Sequence, residues 1–439
     1  MKKILILAYD FPPYVSVGGL RPYNWFKYLR EFGIEPIVIT RQWDNKYGNH
    51  LDYVAPGVSV EQIIEKVENG TIIRTPYNPN LSNRILLKYG ENRFRLLRKI
   101  ISGYYEFAQF IFPIGPKSEI FIAAQNYLRE NKVDAIIASG DPFILFSYAS
   151  QLSDWYGIPW IADYRDPWSQ NFSTKKGVIQ RKWDLLFEQK TVRSASKIIT
   201  VDELFKLKIG QLFPDKEILI LPNGFDPNLM IEANKIEQKS KILSFSFVGT
   251  IYKWHPVKSL MKGFQKFKEE NPTKPFELKL YGINNSEEIK NLLEEEFHGL
   301  IENVQIIRKL PNDDLLKELS KNNVLILFNY YQFTGTKIYD YLGLKRKIIL
   351  CFTKDDEALI LKDSFYFKTL ETDIQPQIEI LKETNSGIIV KDSEHLMEVL
   401  NDLWKEFEST GKIACHSVGV ENYSRKIQVE KLAEIVKSL

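Results

Sequence analysis

The chain has 439 residues, 44% apolar and 26% charged, the balance of a soluble globular protein too long for one core to organise. Its formal net charge of +3 gives no global attraction for nucleic acid, so an anionic partner must be met by a local patch. Two cysteines, Cys351 and Cys415, stand far apart, which excludes a disulfide framework and suits a reducing cytoplasm.

The run Met1–Ala8 opens with lysines, but its apolar stretch stops at Tyr9 and Asp10, too soon for a signal peptide, and it reads as a first strand. No run approaches the roughly 20 apolar residues of a membrane span, so the chain is expected to be soluble or at most peripheral. Further strands are predicted at 36–40, 135–139, 159–163, 197–201 and 218–221, with a helix from about Pro22 to Phe32. Near-continuous Ile/Val/Leu runs separated by amphipathic helices indicate a parallel sheet covered on both faces. The turn signal Pro222-Asn223-Gly224 breaks this series, and a polar, helix-prone segment, 232–241, follows. A second series has strands at 243–248, 277–281, 304–307, 324–328, 347–351 and 387–390, with a helix opened by Pro256. The expected fold class is α/β, two doubly wound domains facing each other.

Residues 84–112 break the rhythm with a helical pattern carrying Phe94, Leu97, Ile101, Tyr104 and Phe107 along one side. Its first part is basic, with Arg84, Lys88, Arg93, Arg95, Arg98 and Lys99 against Glu91. Such a helix can lie in an anionic membrane interface, or it can be a solvated charged face over an ordinary core stripe.

Four stretches can carry chemistry. Gly18 and Gly19 precede the first helix, where glycine lets backbone approach a ligand, or simply forms a loop. Asp141 ends one strand, and Asp163, Arg165 and Asp166 end the next, at the carboxyl edge where open α/β sheets bind ligands. These charges fit either an internal ion pair or a direct role on substrate. The third stretch, Gln332 to Gly343, joins a buried strand to a helix. Its Gly335-Thr336 turn aims backbone N–H groups at a phosphate, Lys337 adds a cation, and Asp340 shares the first turn; the alternative is an ordinary capped helix start. The fourth, Gly249 and Thr250, ends the first strand of the second series, with Lys253 and Lys258 nearby. The five histidines, His50, His255, His298, His395 and His416, have no metal-ligand spacing, and no Asp-x-Asp pair occurs. A diphosphate must then be held by cations and helix N-termini.

In order, Gly18-Gly19, Gly157 to Trp168, Leu221 to Asp226, Phe247 to Tyr252 and Thr336 to Leu342 resemble the retaining glycosyltransferases of GT-B fold, often numbered family 4, in the surface-polysaccharide branch. The resemblance implies an acceptor-binding Rossmann-like domain at 1–222, rejoined by a last helix at 422–439, and a donor domain at 223–421. It implies a metal-independent transferase with a nucleoside diphosphate sugar as co-substrate, no other cofactor, and a saccharide or lipid-linked saccharide acceptor. A cytoplasmic location, or one at the inner face of the plasma membrane, follows from that role. Gly18 and Gly19 would lie over the donor diphosphate, Gly335 and Thr336 would donate to phosphate, and the backbone of Arg308, Lys309 and Leu310 would meet the base. Asp340 matches the second acid of the family's Glu-x7-Glu motif, which holds ribose. Lys337, assisted by Lys253 or Lys258, would support the leaving group, and Asp166 joins the catalytic candidates. Gln332 stands where the family has its first acid, and no Arg follows Gly249. These departures keep open a catalytically silent nucleotide-sugar-binding subunit, or a GT-B-fold epimerase working through Asp141, Asp163 or Asp166.

Overall fold

The computed structural model describes residues 1–14, 16–44, 51–171, 176–366 and 372–439; of the residues named above, His50 lies outside that set. Contacts divide the chain into two compact units, Met1–Pro222 with Gln428–Leu439, and Asn223–Ile427.

The first unit begins β1 (Lys2–Leu7), α1 (Val17–Tyr28), β2 (Ile34–Arg41), β3 (Ile63–Val67), β4 (Gly70–Thr75) and α2 (Leu81–Tyr89). It continues α3 (Arg95–Ala108), α4 (Ser118–Glu130), β5 (Ala135–Gly140), α5 (Ile144–Tyr156) and β6 (Trp160–Tyr164). α6 (Val178–Val192), β7 (Lys197–Thr200), α7 (Glu203–Leu212) and β8 (Ile218–Ile220) complete it. The described strands form one sheet in the order β3-β4-β2-β1-β5-β6-β7-β8, parallel throughout except where β3 runs against β4. Ile4 to Leu7 of β1 and Ala135 to Ala138 of β5 are fully buried, as the centre of a sheet covered on both faces requires.

The second unit runs α8 (Pro227–Ala233), β9 (Leu243–Val248), α9 (Val257–Glu270), β10 (Phe276–Tyr281), α10 (Ser286–Glu296) and β11 (Val304–Ile307). Then come α11 (Asn312–Ser320), β12 (Val324–Phe328), α12 (Lys337–Leu344), β13 (Lys347–Cys351) and α13 (Asp356–Phe365). α14 (Pro376–Glu383), β14 (Gly387–Ile389), α15 (Ser393–Thr410) and α16 (Arg425–Lys437) close the chain. Its described strands form a parallel sheet ordered β11-β10-β9-β12-β13-β14. Phe245, Phe264, Phe267 and Phe276 fill one face, and Leu325, Leu327, Ile338 and Tyr341 the other. α16 carries Val429, Leu432, Ala433 and Val436 into the core of the first unit, against Ile4, Ile6 and Ile137.

Four expectations change. β3 and β4 are an additional hairpin, with Val67 paired to Gly70; the Asn69-Gly70 turn signal marks it, but β3 is half-exposed and breaks the strand–helix alternation. α1 starts at Val17 rather than Pro22, because the Ser16 hydroxyl accepts the Gly19 N–H at 2.9 Å and caps the helix there. Gly18 and Gly19 therefore sit in the first helical turn, not in a loop. The single helix expected over 84–112 is two, α2 and α3, divided where Gly90 and Phe94 take positive φ of 77° and 55°. Helix formation near 232–241 is confined to α8, where Asp226 caps and Pro227 opens the first turn.

Candidate functional site

In the second unit β9 and β12 are parallel neighbours, so the loops that follow them emerge side by side. Gly249, directly after β9, has φ of 104°, and its N–H donates to the Tyr281 carbonyl at 3.0 Å. Any side chain there would be strained. The loop after β12 is fastened by Asn329, whose Oδ1 accepts the Tyr331 N–H at 2.8 Å, and by Gln377, whose Oε1 accepts the Tyr330 N–H at 2.7 Å. It turns through Gly335, φ 70°, into α12.

Thr336 occupies the N-cap position of α12, yet its hydroxyl makes no capping bond, and both Gly335 and Thr336 are exposed. The helix start is thus open to solvent, with the positive end of its dipole presented to whatever binds there. The Lys337 side chain runs past Gly249, its Cε 3.9 Å from where a β-carbon would stand. Its Nζ lies 3.7 Å from Asp340 Oδ2. Burial raises the Asp340 carboxyl above its ordinary range, while Lys337 and Arg425 oppose that shift. Gly249, Gly335, Thr336, Lys337 and Asp340 accordingly form one constellation, and the charge of Arg425 acts on Asp340.

The other candidates of this unit have surroundings of their own. Arg308 and Lys309 are exposed after β11, where the Lys309 backbone approaches Gly282, and Leu310 is half-buried. Thr250 is exposed in the loop after β9, and Lys253 lies over the Phe365 ring, 5.8 Å from its centroid. Lys258 is paired with Glu296 at the end of α10. Gln332 is buried, and its Nε2 donates to the Thr372 carbonyl at 3.1 Å, so its side chain is directed into the unit. Beside the loop stands an aromatic group that the sequence reading does not single out. Tyr252 stacks on Trp254 at 4.5 Å, His255 stacks on Phe328 at 4.6 Å, and Tyr330 meets His255 edge-on. Burial lowers the His255 pKa to about 3, which keeps the ring neutral, with Nδ1 accepting the Tyr252 N–H at 3.3 Å.

In the first unit the carboxyl ends of β1, β5 and β6 bring Asp10, Asp141, Arg165 and Asp166 together. Arg165 donates from Nε to the Gly140 carbonyl at 2.8 Å and from Nη2 to the Asp141 carbonyl at 3.0 Å. Its guanidinium lies against Gly18, where an added β-carbon would fall 1.6 Å from Nη1. Gly18 is therefore small because Arg165 needs the space. Burial raises the Asp10 carboxyl, opposed by the Ser16 hydrogen bond and by Arg165. Partial burial raises that of Asp166, opposed by Arg165 and reinforced by Asp141, although part of Asp166 is open to solvent. Asp10 Oδ2 accepts from Ser16 at 2.8 Å, and its Oδ1 is buried without a partner among the described residues.

Asp163 is different in kind. It is 0% exposed, and its oxygens accept from Arg21 Nε and Ser139 Oγ, each at 2.8 Å. Arg21 also donates to the Leu221 carbonyl at 2.7 Å. The ion pair weighed for Asp163 exists, but with Arg21 rather than Arg165, and it leaves no atom of Asp163 for a ligand. Among the described residues no group of three or more His, Cys, Asp or Glu side chains is placed to hold a metal ion.

No protein-family model matches the sequence, and no curated protein matches it. Solved structures do. Sucrose-phosphate synthase from Thermosynechococcus elongatus is similar over 100% of this chain and 99% of that one, at 12% identity and a TM-score of 0.59. Anabaena HepE in complex with UDP-glucose is similar over 100% of both chains, at 12% identity and a TM-score of 0.54. The fold is GT-B. WaaG, a glycosyltransferase involved in lipopolysaccharide biosynthesis, is similar over 99% of this chain and 100% of its own, at 12% identity and a TM-score of 0.52. At these identities the likeness establishes the GT-B fold, and activity rests on the residues.

Proposed function

We propose that this chain is a metal-independent retaining glycosyltransferase, moving a sugar from a nucleoside diphosphate sugar to a hydroxyl of a saccharide or lipid-linked saccharide in surface-polysaccharide synthesis. The observation that carries the reading is the open start of α12, with Lys337 lying across Gly249 and Asp340 one turn on. A diphosphate takes the N–H groups and the cation, and Asp340 takes the ribose hydroxyls. The UDP-glucose held by HepE supports a donor of this chemical class. Arg165, with Asp10, Asp141 and Asp166 around it, is a polar edge suited to a saccharide acceptor, and Gly18 and Gly19 belong to the same edge.

In this mechanism the acceptor oxygen approaches the anomeric carbon on the face from which the diphosphate departs. The bond from that carbon to phosphate oxygen breaks, the bond to the acceptor oxygen forms, and the acceptor proton passes to the departing phosphate. No protein base is required. The protein contributes electrostatic support to the leaving diphosphate, through Lys337 and the α12 N-terminus, with Lys253, the first cation after Gly249, assisting. Lys258, held by Glu296, is less available for that task.

A thermal-shift screen of nucleotide sugars identifies the donor, because a ligand that binds only the folded state raises its melting temperature. With that donor, Lys337→Ala is expected to lower transfer about a hundredfold, the scale of one lost electrostatic contact to a developing anion. Transfer surviving within about threefold overturns the assignment. The anomeric configuration of the product, read by NMR, tests retention.

Gln332 favours a second reading, a binding subunit without turnover. An amide held by the Thr372 carbonyl brings no negative charge to the reacting centre. Donor consumption by the purified protein, with acceptor supplied, separates the two.

A further inference from the structure

We propose that the α2–α3 hairpin is a docking surface for an anionic lipid bilayer, entered by the outer face of α3. This deepens the glycosyltransfer reading by naming what holds the protein near a lipid-linked acceptor, although its geometry stands without that reading. At 100° per residue Leu96, Ile100 and Tyr104 fall on one side of α3 with Leu97 beside them, and Arg98 and Ser102 fall on the other. An amphipathic helix on a globular protein ordinarily turns the first set inward. Here the reverse holds. Ser102 Oγ meets Ser82 Oγ of α2 at 2.8 Å, whereas Leu96 is 74%, Ile100 63%, Tyr104 61% and Leu97 47% exposed. No residue of α3 is buried. Past the end of α3, Phe110 stacks on Trp168 at 5.4 Å and anchors the chain, while Ile111 and Phe112 stay exposed.

Charge decides what covers this face. Residues 81–100 contain six Lys or Arg and one acid, in a chain whose total is +3, so the remainder sums to a negative charge. Arg84, Lys88, Arg93, Arg95 and Lys99 are all exposed, and by helical spacing Arg95 and Lys99 flank Leu96 and Ile100 on α3. A second copy of the chain would set this cationic patch against itself, whereas anionic headgroups complement it. Between the two helices lies an open cavity of about 380 Å³, lined by Leu86, Glu91, Asn92, Arg95 and Arg98, where the two arginines can meet a phosphate headgroup. Among the described residues no helix is long and apolar enough to cross a membrane, so the contact is interfacial.

The test is co-sedimentation of the full chain with vesicles of phosphatidylcholine, with and without phosphatidylglycerol, at low and high salt. Binding is expected only to the anionic vesicles and is expected to weaken as salt rises. Leu96→Glu with Ile100→Glu should lower binding at least tenfold, and each of Arg93→Gln, Arg95→Gln and Lys99→Gln about fivefold. The altered side chains are already exposed, so an unchanged melting temperature is expected. Transfer to a soluble acceptor should also be unchanged, which keeps a failure of docking distinct from a failure of the catalytic reading. Equal binding to both vesicle types, no binding at low salt, or full binding by the Leu96/Ile100 variant overturns the proposal. So does a dimer in solution that this variant dissociates.

Discussion

Replacing Asp163 with alanine tests whether this residue is framework or part of a binding surface. The substitution removes the only acid paired with Arg21 among the described residues, and the Arg21 side chain is 6% exposed. Ser139 loses its acceptor in the same step. Breaking a buried ion pair on one side costs about 3–5 kcal/mol, because the partner charge is left in a medium of low dielectric. For a unit of about 230 residues that lowers the melting temperature by about 6–20 °C. Calorimetry of the intact chain should show the loss in the transition of the first unit, with that of Asn223–Ile427 unmoved. The double replacement Arg21→Met with Asp163→Leu should recover most of it, since neither charge then remains buried. An Asp163→Ala protein that melts within about 2 °C of the parent but no longer binds acceptor would refute the argument.

Gly249→Ala should destabilise the second unit by about 1–3 kcal/mol through backbone strain alone, because Lys337 leaves room for the methyl group; denaturant unfolding measures this. His255, at about 3 in the fold against an ordinary 6.5, binds its proton only on unfolding. Its contribution is therefore complete above pH 6.5 and is lost as pH falls toward 3, by about 1.4 kcal/mol per pH unit. His255→Phe, which keeps the stack on Phe328, should lose correspondingly less stability between pH 6.5 and about 4.5; an unchanged slope in urea titrations would argue against a neutral buried ring.

Features set by short-range pattern are legible in the sequence. The parallel strands announce themselves as unbroken apolar runs, because burial on both faces leaves no polar alternation. Lys337 and Asp340 are found by spacing, three residues apart on one helical turn. Features made by distant residues are not. Arg21 lies 142 residues from Asp163, and nothing near Asp163 distinguishes Arg21 from the adjacent Arg165 as its partner. Arg425 reaches Asp340 only through the fold, and Asp10 becomes a candidate only once β1, β5 and β6 stand side by side. Periodicity finds the apolar side of α3 but cannot tell that it faces outward, since the same stripe serves a core or a bilayer.

The path of α16 sets an order on synthesis. Val429, Leu432, Ala433 and Val436 belong to the same core as Ile4 and Ile6, and Lys2 Nζ donates to the Val436 carbonyl at 3.2 Å. A nascent chain ordinarily folds its amino-terminal domain first. Here that unit waits for Gln428–Leu439, whereas Asn223–Ile427 is one continuous segment and can fold earlier. β1 is thus completed by a helix that lies 434 residues further along, as counted from Lys2 to Val436. Apolar surface meant for α16 stays open until residues 428–439 are made, and chains halted before residue 428 should be the species that chaperones retain.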